Sequence, residues 1–458
     1  MRKRGMAVLL CTLVFSFGVA LTAHAEGWVQ SGNNYIYQDS NGNKVTNEWR
    51  KGADNLWRYL GSDGYMSLNR WVDDDTYYVD SNGIMATDKW LKVSTDNYNE
   101  YDWYYLGSTG KKITDAWKKI SDRYYYFDDD GIMKTGWFEE GEYVYYLGSD
   151  GAMRTGWQNV VPREDDDDDD DYGPMFDEDD GEKKWFYFDT KGRLYQPEDE
   201  YGERRISNVW YCFDSTGEMQ TGWVPVEGSE TDIAGYKYYN SSGVRQTGWQ
   251  LLYPPEEVDG SSYDEEQYFY FENDGSPKTG PAEGSGSEAD LVRIGGITYL
   301  FNELGNPIQG MQKLATKDGS DYHTYYFGDK ATSSVVTGKK TIEEGDGTDS
   351  TFYFTESGTY KGRGYTGVRD GYLYYKGKLQ KADSSARYEA FSIESNTNGK
   401  YTTYVVNSSG KVQKSRSVKD ADGNKFKTNS SGALTELNDE TFGGGNYRTP
   451  VEPVFPND

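Results

Sequence analysis

Two cysteines and two histidines are all that this chain of 458 residues contains, and their scarcity removes whole classes of chemistry. The basic run Arg2-Lys3-Arg4, the apolar stretch from Met6 to Leu21 and the small-x-small sequence Ala23-His24-Ala25 predict a secretory signal peptide over residues 1–25. Cleavage after Ala25 would remove Cys11 and His24 and leave Cys212 and His323. A single cysteine forms no intramolecular disulfide, so the exported chain must be held together by packing. A single histidine supplies neither a zinc-protease motif nor a Ser-His-Asp triad. Cys212, inside Trp210-Tyr211-Cys212-Phe213, reads as a small buried hydrophobe, and His323 lies more than a hundred residues away. The expectation is a protein without catalytic residues, metal or cofactor.

Long hydrophobic runs are also missing. After the signal every apolar stretch is broken by charge, Gly or Asn before it could span a bilayer. Cys11 follows Leu10 rather than a small residue, which argues against a lipid-anchored cysteine. Positive charge is in deficit: 48 Lys and Arg against 76 Asp and Glu give a formal charge of −28, or −31 once the three basic signal residues are gone. Such a chain repels nucleic acid and anionic membranes. The acids crowd into Asp165–Asp171 and Asp177-Glu178-Asp179-Asp180, read as a solvated loop. Tyr172 and Phe176 stand where an EF-hand would need ligands, so no calcium site is expected there.

Aromatic side chains are what the sequence has in excess: 16% of the chain, with 42 tyrosines and 13 tryptophans, which excludes a disordered polymer. Trp28, Trp49, Trp71, Trp90, Trp117, Trp137 and Trp157 recur at a period of about 20 residues, and Trp223 and Trp249 continue the series. Trp57, Trp103, Trp185 and Trp210 each stand seven residues before a glycine: Gly64, Gly110, Gly192 and Gly217. The clearest units read WKKISDRYYYFDDDGIMKTGW and WFEEGEYVYYLGSDGAMRTGW, from Trp117 to Trp157. Alternating aromatics suit a strand, and Asp-Gly supplies the positive φ of a tight turn, so each unit is a β-hairpin. About 20 residues cannot bury a core alone, and stacking must complete it. The expected fold is all-β, an elongated solenoid of stacked β-hairpins. With a period of two, the first and third aromatics of each cluster face one side and the second the other.

Along the chain this predicts a signal peptide (1–25), regular Trp-rich hairpins (26–157), an acidic insertion loop (158–184), further Trp-containing hairpins (185–249), degenerate Trp-free hairpins (250–437) and a disordered tail (438–458). The stretch from Leu194 to Asn208 is too polar to place. After Leu251 the rhythm persists in Tyr268-Phe269-Tyr270-Phe271, Tyr325-Tyr326-Phe327 and Phe352-Tyr353-Phe354.

The order Trp, polar turn, aromatic triplet, Gly-x-Met and Thr-Gly-Trp resembles the choline-binding, or cell-wall-binding, repeats of Gram-positive surface proteins. The resemblance covers most of Glu26 to Trp249, and weaker likeness to glucan-binding and clostridial toxin receptor-binding repeats fits the units after Leu251. It implies ligand sites in the grooves between hairpins, which in the choline-binding branch are aromatic cages. A quaternary ammonium donates no hydrogen bond and must be held by ring faces and apolar contact. Carried over by position, the cages would be Trp117 with Tyr124, Met133 and Trp137; Trp210 with Met219 and Trp223; and Trp223 with Tyr236 and Trp249, Trp157 closing the unit after Trp137. Val144, Thr76 and Arg245 depart from the pattern.

The implied protein is secreted, attached non-covalently to the bacterial wall, and binds choline of teichoic acid. A glucan or host-glycan ligand, and an adhesin whose C-terminal half meets a host protein, stand as alternatives. No nucleic acid or membrane insertion is expected, and homodimerisation is left open.

Overall fold

The computed structural model describes residues 25–95, 100–163, 181–226, 231–260, 264–282, 284–395 and 400–456. The signal peptide up to His24 and the aspartate runs lie outside the described residues. The chain divides into two compact units, Met1–Tyr195 and Gln196–Asp458.

In the first unit, seven antiparallel hairpins follow one another among the described residues. Their strands are Gly27–Ser31 with Asn34–Gln38, Glu48–Lys51 with Trp57–Leu60, Arg70–Val72 with Tyr77–Val79, and Lys89–Ser94 with Tyr101–Leu106. Ala116–Ile120 with Arg123–Phe127, Gly136–Glu140 with Tyr143–Leu147, and Gly156–Val160 with Lys184–Phe188 complete the set. Each hairpin is a two-stranded sheet of its own, so the unit is a stack of hairpins rather than one continuous sheet.

The repeat is built from its second strand outward. In the Trp117 hairpin the strand ends at Phe127, and Asp128 turns the chain: its Oδ1 accepts the Ile132 amide (2.7 Å), while its own amide donates to the Ile132 carbonyl. Phe127 and Met133 then form a single β-bridge. The same closed loop recurs at Asp80, Asp189, Asp214 and Asn240, so part of the acid excess consists of turn residues that cap their own loops.

One backbone hydrogen bond then ties each hairpin to the one before. The amide of the residue at the methionine position donates to the carbonyl of the earlier hairpin's first aromatic position: Met66 to Tyr35, Met85 to Trp57, Lys112 to Thr76, Met133 to Trp103, Met153 to Tyr124 and Leu194 to Val144. The methionine side chain runs on beneath the turn glycine of the following repeat. Gly151 has φ +71 and no room for a Cβ above the Met133 thioether, so both conformation and packing demand glycine there.

The alternation read from sequence explains the stacking. On one face of the second strand, Tyr126 meets Trp117 of its own hairpin; on the other, Tyr125 and Phe127 meet Trp90 of the preceding hairpin.

In the second unit, hairpins at Tyr201–Asp214, Gly222–Tyr239, Gly248–Phe271, Val292–Tyr299 and Met311–Tyr326 are followed by larger assemblies. One is a five-stranded sheet in the order Gly338–Glu343, Asp349–Phe354, Lys378–Leu379, Tyr372–Tyr375, Gly367–Arg369; another is a four-stranded sheet from Ser417 to Thr441. The Trp-free stretch is therefore not a plain series of hairpins. Its buried cores are Phe-rich, with Phe352, Phe354, Phe391 and Phe426 almost fully covered.

Two sequence expectations are corrected, and one stretch the sequence left unplaced is assigned. The acidic segment begins within a hairpin: Gln158, Asn159 and Val160 pair with Phe186, Trp185 and Lys184, so strand residues occupy both ends of the expected loop and Trp157 and Trp185 belong to one unit. The polar stretch before Asn208 contains a strand, Tyr201–Ile206, whose inward Glu203 is neutralised by Lys237 and Arg245. The tail is ordered where it was expected to be disordered. The amides of Tyr447, Val451 and Val454 donate to Ser392 Oγ, Gln380 Oε1 and Glu344 Oε2, and Phe455 is buried against Met311, Ile342, Phe352 and Phe354. A Gly- and Pro-rich composition conceals this because the tail is held by side chains of distant hairpins rather than by a strand pattern of its own.

Candidate ligand grooves between hairpins

Each closing tryptophan sits between two hairpins. Trp71 packs against its cross-strand partner Tyr78 (centroids 5.5 Å apart, 81°) and against Tyr104 of the next hairpin (5.1 Å, 72°). Trp49 does the same with Tyr59 and Tyr77, Trp90 with Tyr105 and Tyr125, Trp117 with Tyr126 and Tyr145, and Trp137 with Tyr146 and Phe186. The indole N–H anchors the ring from the far side by donating across the gap. Trp28 donates to the Lys51 carbonyl, Trp49 to Asp73, Trp117 to Glu140 and Trp137 to the Val161 carbonyl. The edge is thus fixed.

A second ring makes the groove a corner. Trp103, the first aromatic of the triplet Trp103-Tyr104-Tyr105, stands at 84° to Trp90 with centroids 6.2 Å apart. Three other hairpins repeat that corner: Trp157 with Trp185 (6.3 Å, 84°), Trp223 with Tyr236 (6.3 Å, 82°) and Trp249 with Tyr268 (6.4 Å, 85°). Two perpendicular rings each about 4.5 Å from a shared cation have centroids roughly 6.4 Å apart, within the range where ring quadrupoles attract a cation. The following hairpin brings Tyr125 to 5.0 Å from Trp90, and Met133 packs in the same cluster. The Trp90 groove therefore holds three rings and a thioether. Trp103 is 38% exposed, which leaves its face accessible from solvent. Lys92, across the hairpin from Trp103, lies nearer the outer Tyr101 (3.8 Å) than Trp103 (5.5 Å).

Two of the stacking tyrosines, Tyr104 and Tyr126, are held in their neutral form. Burial, and then the charge of Asp102, push the Tyr104 hydroxyl up to about 12. Tyr126 rises to about 12 through burial and through the hydrogen bond it donates to Asp115 (2.8 Å).

The structure redistributes the residues singled out from sequence. Trp117 and Tyr124 belong to one groove, with Tyr124 44% exposed, but the methionine tied to Tyr124 is Met153. Met133 belongs to the Trp90 groove, and Trp137 builds the next groove with Tyr146 and Phe186. Trp157 meets Trp185 and Tyr187. Trp210 has Arg245 on its face at 5.0 Å, while Met219 lies under Gly243. Trp223 does meet Tyr236, but Trp249 serves the following groove with Tyr268, Tyr270 and Tyr299. The error is one of register: the methionine in each groove comes from the next repeat. Two complete sets were missed, Trp49, Trp57, Tyr77 and Met85, and Trp90, Trp103, Tyr125 and Met133. The tryptophans seven residues before Gly64 and Gly110 were the signal that could have found them.

Hairpins stacked through backbone bonds, four of them with a perpendicular aromatic corner among the described residues, define a repeat protein with aromatic grooves between successive hairpins. Residues 51–84 and 113–157 match the choline-binding repeat, and the chain carries repeats of that family. Comparison with curated proteins found no match. Among solved structures, the modular autolysin LytC from Streptococcus pneumoniae is 24% identical with a TM-score of 0.37, covering 62% of this chain and 52% of its own. The present chain thus spans about half the length of that autolysin. CbpJ from the same organism is 19% identical with a TM-score of 0.38 (74% and 100% covered). Choline binding protein F, also from Streptococcus pneumoniae, is 19% identical with a TM-score of 0.31 (79% and 99% covered).

Proposed function

We propose that this is a secreted, non-catalytic surface protein that binds choline-bearing polymers of the bacterial wall, one choline per open groove. The observation that carries the reading is the neutral, partly exposed corner of Trp90 and Trp103, completed by Tyr125 and Met133. A trimethylammonium group needs such a box, because it is attracted by ring faces and gains nothing from hydrogen-bond acceptors. The Trp49 groove holds the same residue types in Trp57, Tyr77 and Met85, and the Trp117 groove, with Tyr145 and Met153, has Tyr124 in place of the second tryptophan. Single grooves of this kind are weak, and repetition along a polymer raises avidity about 10²- to 10⁴-fold. The non-catalytic reading is supported by Cys212, which is fully buried and whose thiol burial pushes up to about 12, far from a reactive thiolate.

The discriminating experiment loads mature protein on a choline-conjugated matrix and, separately, on an insoluble glucan. Retention on the first with release by free choline is the expected result. Retention on glucan alone would transfer the same flat rings, Trp185 and Tyr268 among them, to sugar stacking and overturn the choline reading.

A further inference from the structure

Register places equivalent residues in every groove: the closing residue of the first strand, its cross-strand partner, the first aromatic, a ring from the next hairpin, and the methionine position whose amide bonds to the first aromatic's carbonyl. In the Tyr201–Asp214 hairpin these positions hold a different set. The closing residue is Glu203, its partner is Cys212, and the next hairpin contributes Lys237 where other grooves receive a ring. The methionine position is Arg245, whose amide donates to the Trp210 carbonyl (3.0 Å). Its guanidinium lies over the Trp210 ring at 5.0 Å and donates to Glu203 Oε1 (2.8 Å) and the Asn273 carbonyl (3.1 Å). Lys237 donates to Glu203 Oε2 (2.7 Å), and the two cationic side chains are only 7% and 8% exposed.

The Trp71 groove shows the same device in simpler form. Thr76 replaces the first aromatic and Lys112 the methionine. The lysine stem runs beneath Gly131 as Met133 runs beneath Gly151, and its ammonium stands 5.3 Å from the Trp71 centroid and 5.7 Å from that of Tyr104. Lys51 and Lys92 each reach one ring of their grooves, Trp57 (4.9 Å) and Trp103 (5.5 Å), whereas Lys112 reaches two rings of its groove at once, as a ligand cation would.

We propose that these two grooves are liganded from within, and that the residue at the methionine position decides whether a groove is open: methionine leaves the ring faces to a quaternary ammonium, whereas lysine or arginine occupies them. The proposal rests on the choline reading for the open grooves. A tethered cation is always present at its ring, and a second positive charge entering beside it meets repulsion in place of attraction. Groove occupancy is thereby written into one residue per repeat, and the Trp71 and Glu203 grooves act as structural joints between stretches that bind.

The test counts choline sites by equilibrium dialysis in three mature proteins: wild type, Thr76→Trp, and Thr76→Trp with Lys112→Met, the last giving the Trp71 groove the residue types of the Trp90 groove. Thr76→Trp alone is expected to keep the wild-type count and the double variant to gain one site. A gain in Thr76→Trp alone, or none in the double variant, overturns the proposal. If the wild type binds choline but the double variant gains no site, the internal-ligand proposal falls and the choline reading stands; no choline bound by the wild type removes both. Should the double variant not fold, NMR of the wild type decides. The Lys112 ε-methylene protons should be shielded by the rings and unmoved by saturating choline, and their release to unshielded shifts would contradict the proposal.

Discussion

Trp103 stands at 84° to Trp90 with 6.2 Å between ring centroids, and the carbonyl of Trp103 accepts the amide of Met133 from the next hairpin. The corner that faces the ligand and the bond that fixes the next hairpin thus meet at one residue. Binding geometry and stacking geometry are set together, which is why the grooves follow the repeat.

The stacking device can be tested at its glycines. Gly151 sits at φ +71 over Met133, whereas Gly141, at φ +63, has open space around it. Gly141→Ala should cost about 1 kcal/mol through backbone conformation alone. Gly151→Ala adds the clash with the thioether, for a total of about 2–4 kcal/mol. Urea denaturation of the two variants gives the comparison, and equal losses would show that Met133 does not pack as described.

Phe455 reaches back from the tail to a position where Met311 stands in place of a closing tryptophan, and packs at 79° to Tyr322 (5.7 Å). Phe455→Ala should cost about 3–5 kcal/mol and should raise hydrogen exchange at the amides the tail secures, Ser392 and Gly345, which donate to Arg448 and Val454 carbonyls. Unchanged exchange at both would mean that the tail does not hold these hairpins.

Much of this was legible in the sequence. Tryptophan spacing and Asp-Gly turns define hairpins because both are local requirements. The second strand of the Glu203 hairpin was equally visible, in Trp210-Tyr211-Cys212-Phe213, but its first strand was not: Gly202-Glu203-Arg204 reads as surface until Lys237 and Arg245, 34 and 42 residues on, are brought to the carboxylate. The grooves were misassigned by one repeat for a related reason. Proximity of Met133 to Tyr124 in the chain says nothing of the inter-hairpin bond that sends Met133 to Trp103.

Acid should weaken the second unit through Glu203. Burial acts to raise its carboxyl, but the hydrogen bonds from Lys237, Arg245 and Tyr239 outweigh it and hold it below the usual carboxylate range. A group depressed in the fold contributes stability above its unfolded value of about 4.3, and that contribution is lost as pH falls through the folded value. Glu203→Gln removes the carboxylate charge that both buried cations bond and should cost about 3–5 kcal/mol at pH 7. The gap from wild type should narrow below pH of about 4.3. Chemical denaturation of the two proteins at pH 7 and pH 3 measures it, and a gap that stays constant would exclude Glu203 as the ionised partner.

The most direct measurement is a choline titration of the mature protein followed by tryptophan fluorescence, beside Trp103→Ala. The account predicts a saturable change in the wild type and a choline stoichiometry reduced by one in the variant, whose Trp90 groove loses a ring contact that contributes about 0.5–2 kcal/mol. No saturable change up to concentrations of about 10 mM, well beyond ordinary single-site affinities for small ligands, or an unchanged stoichiometry in Trp103→Ala, would contradict it.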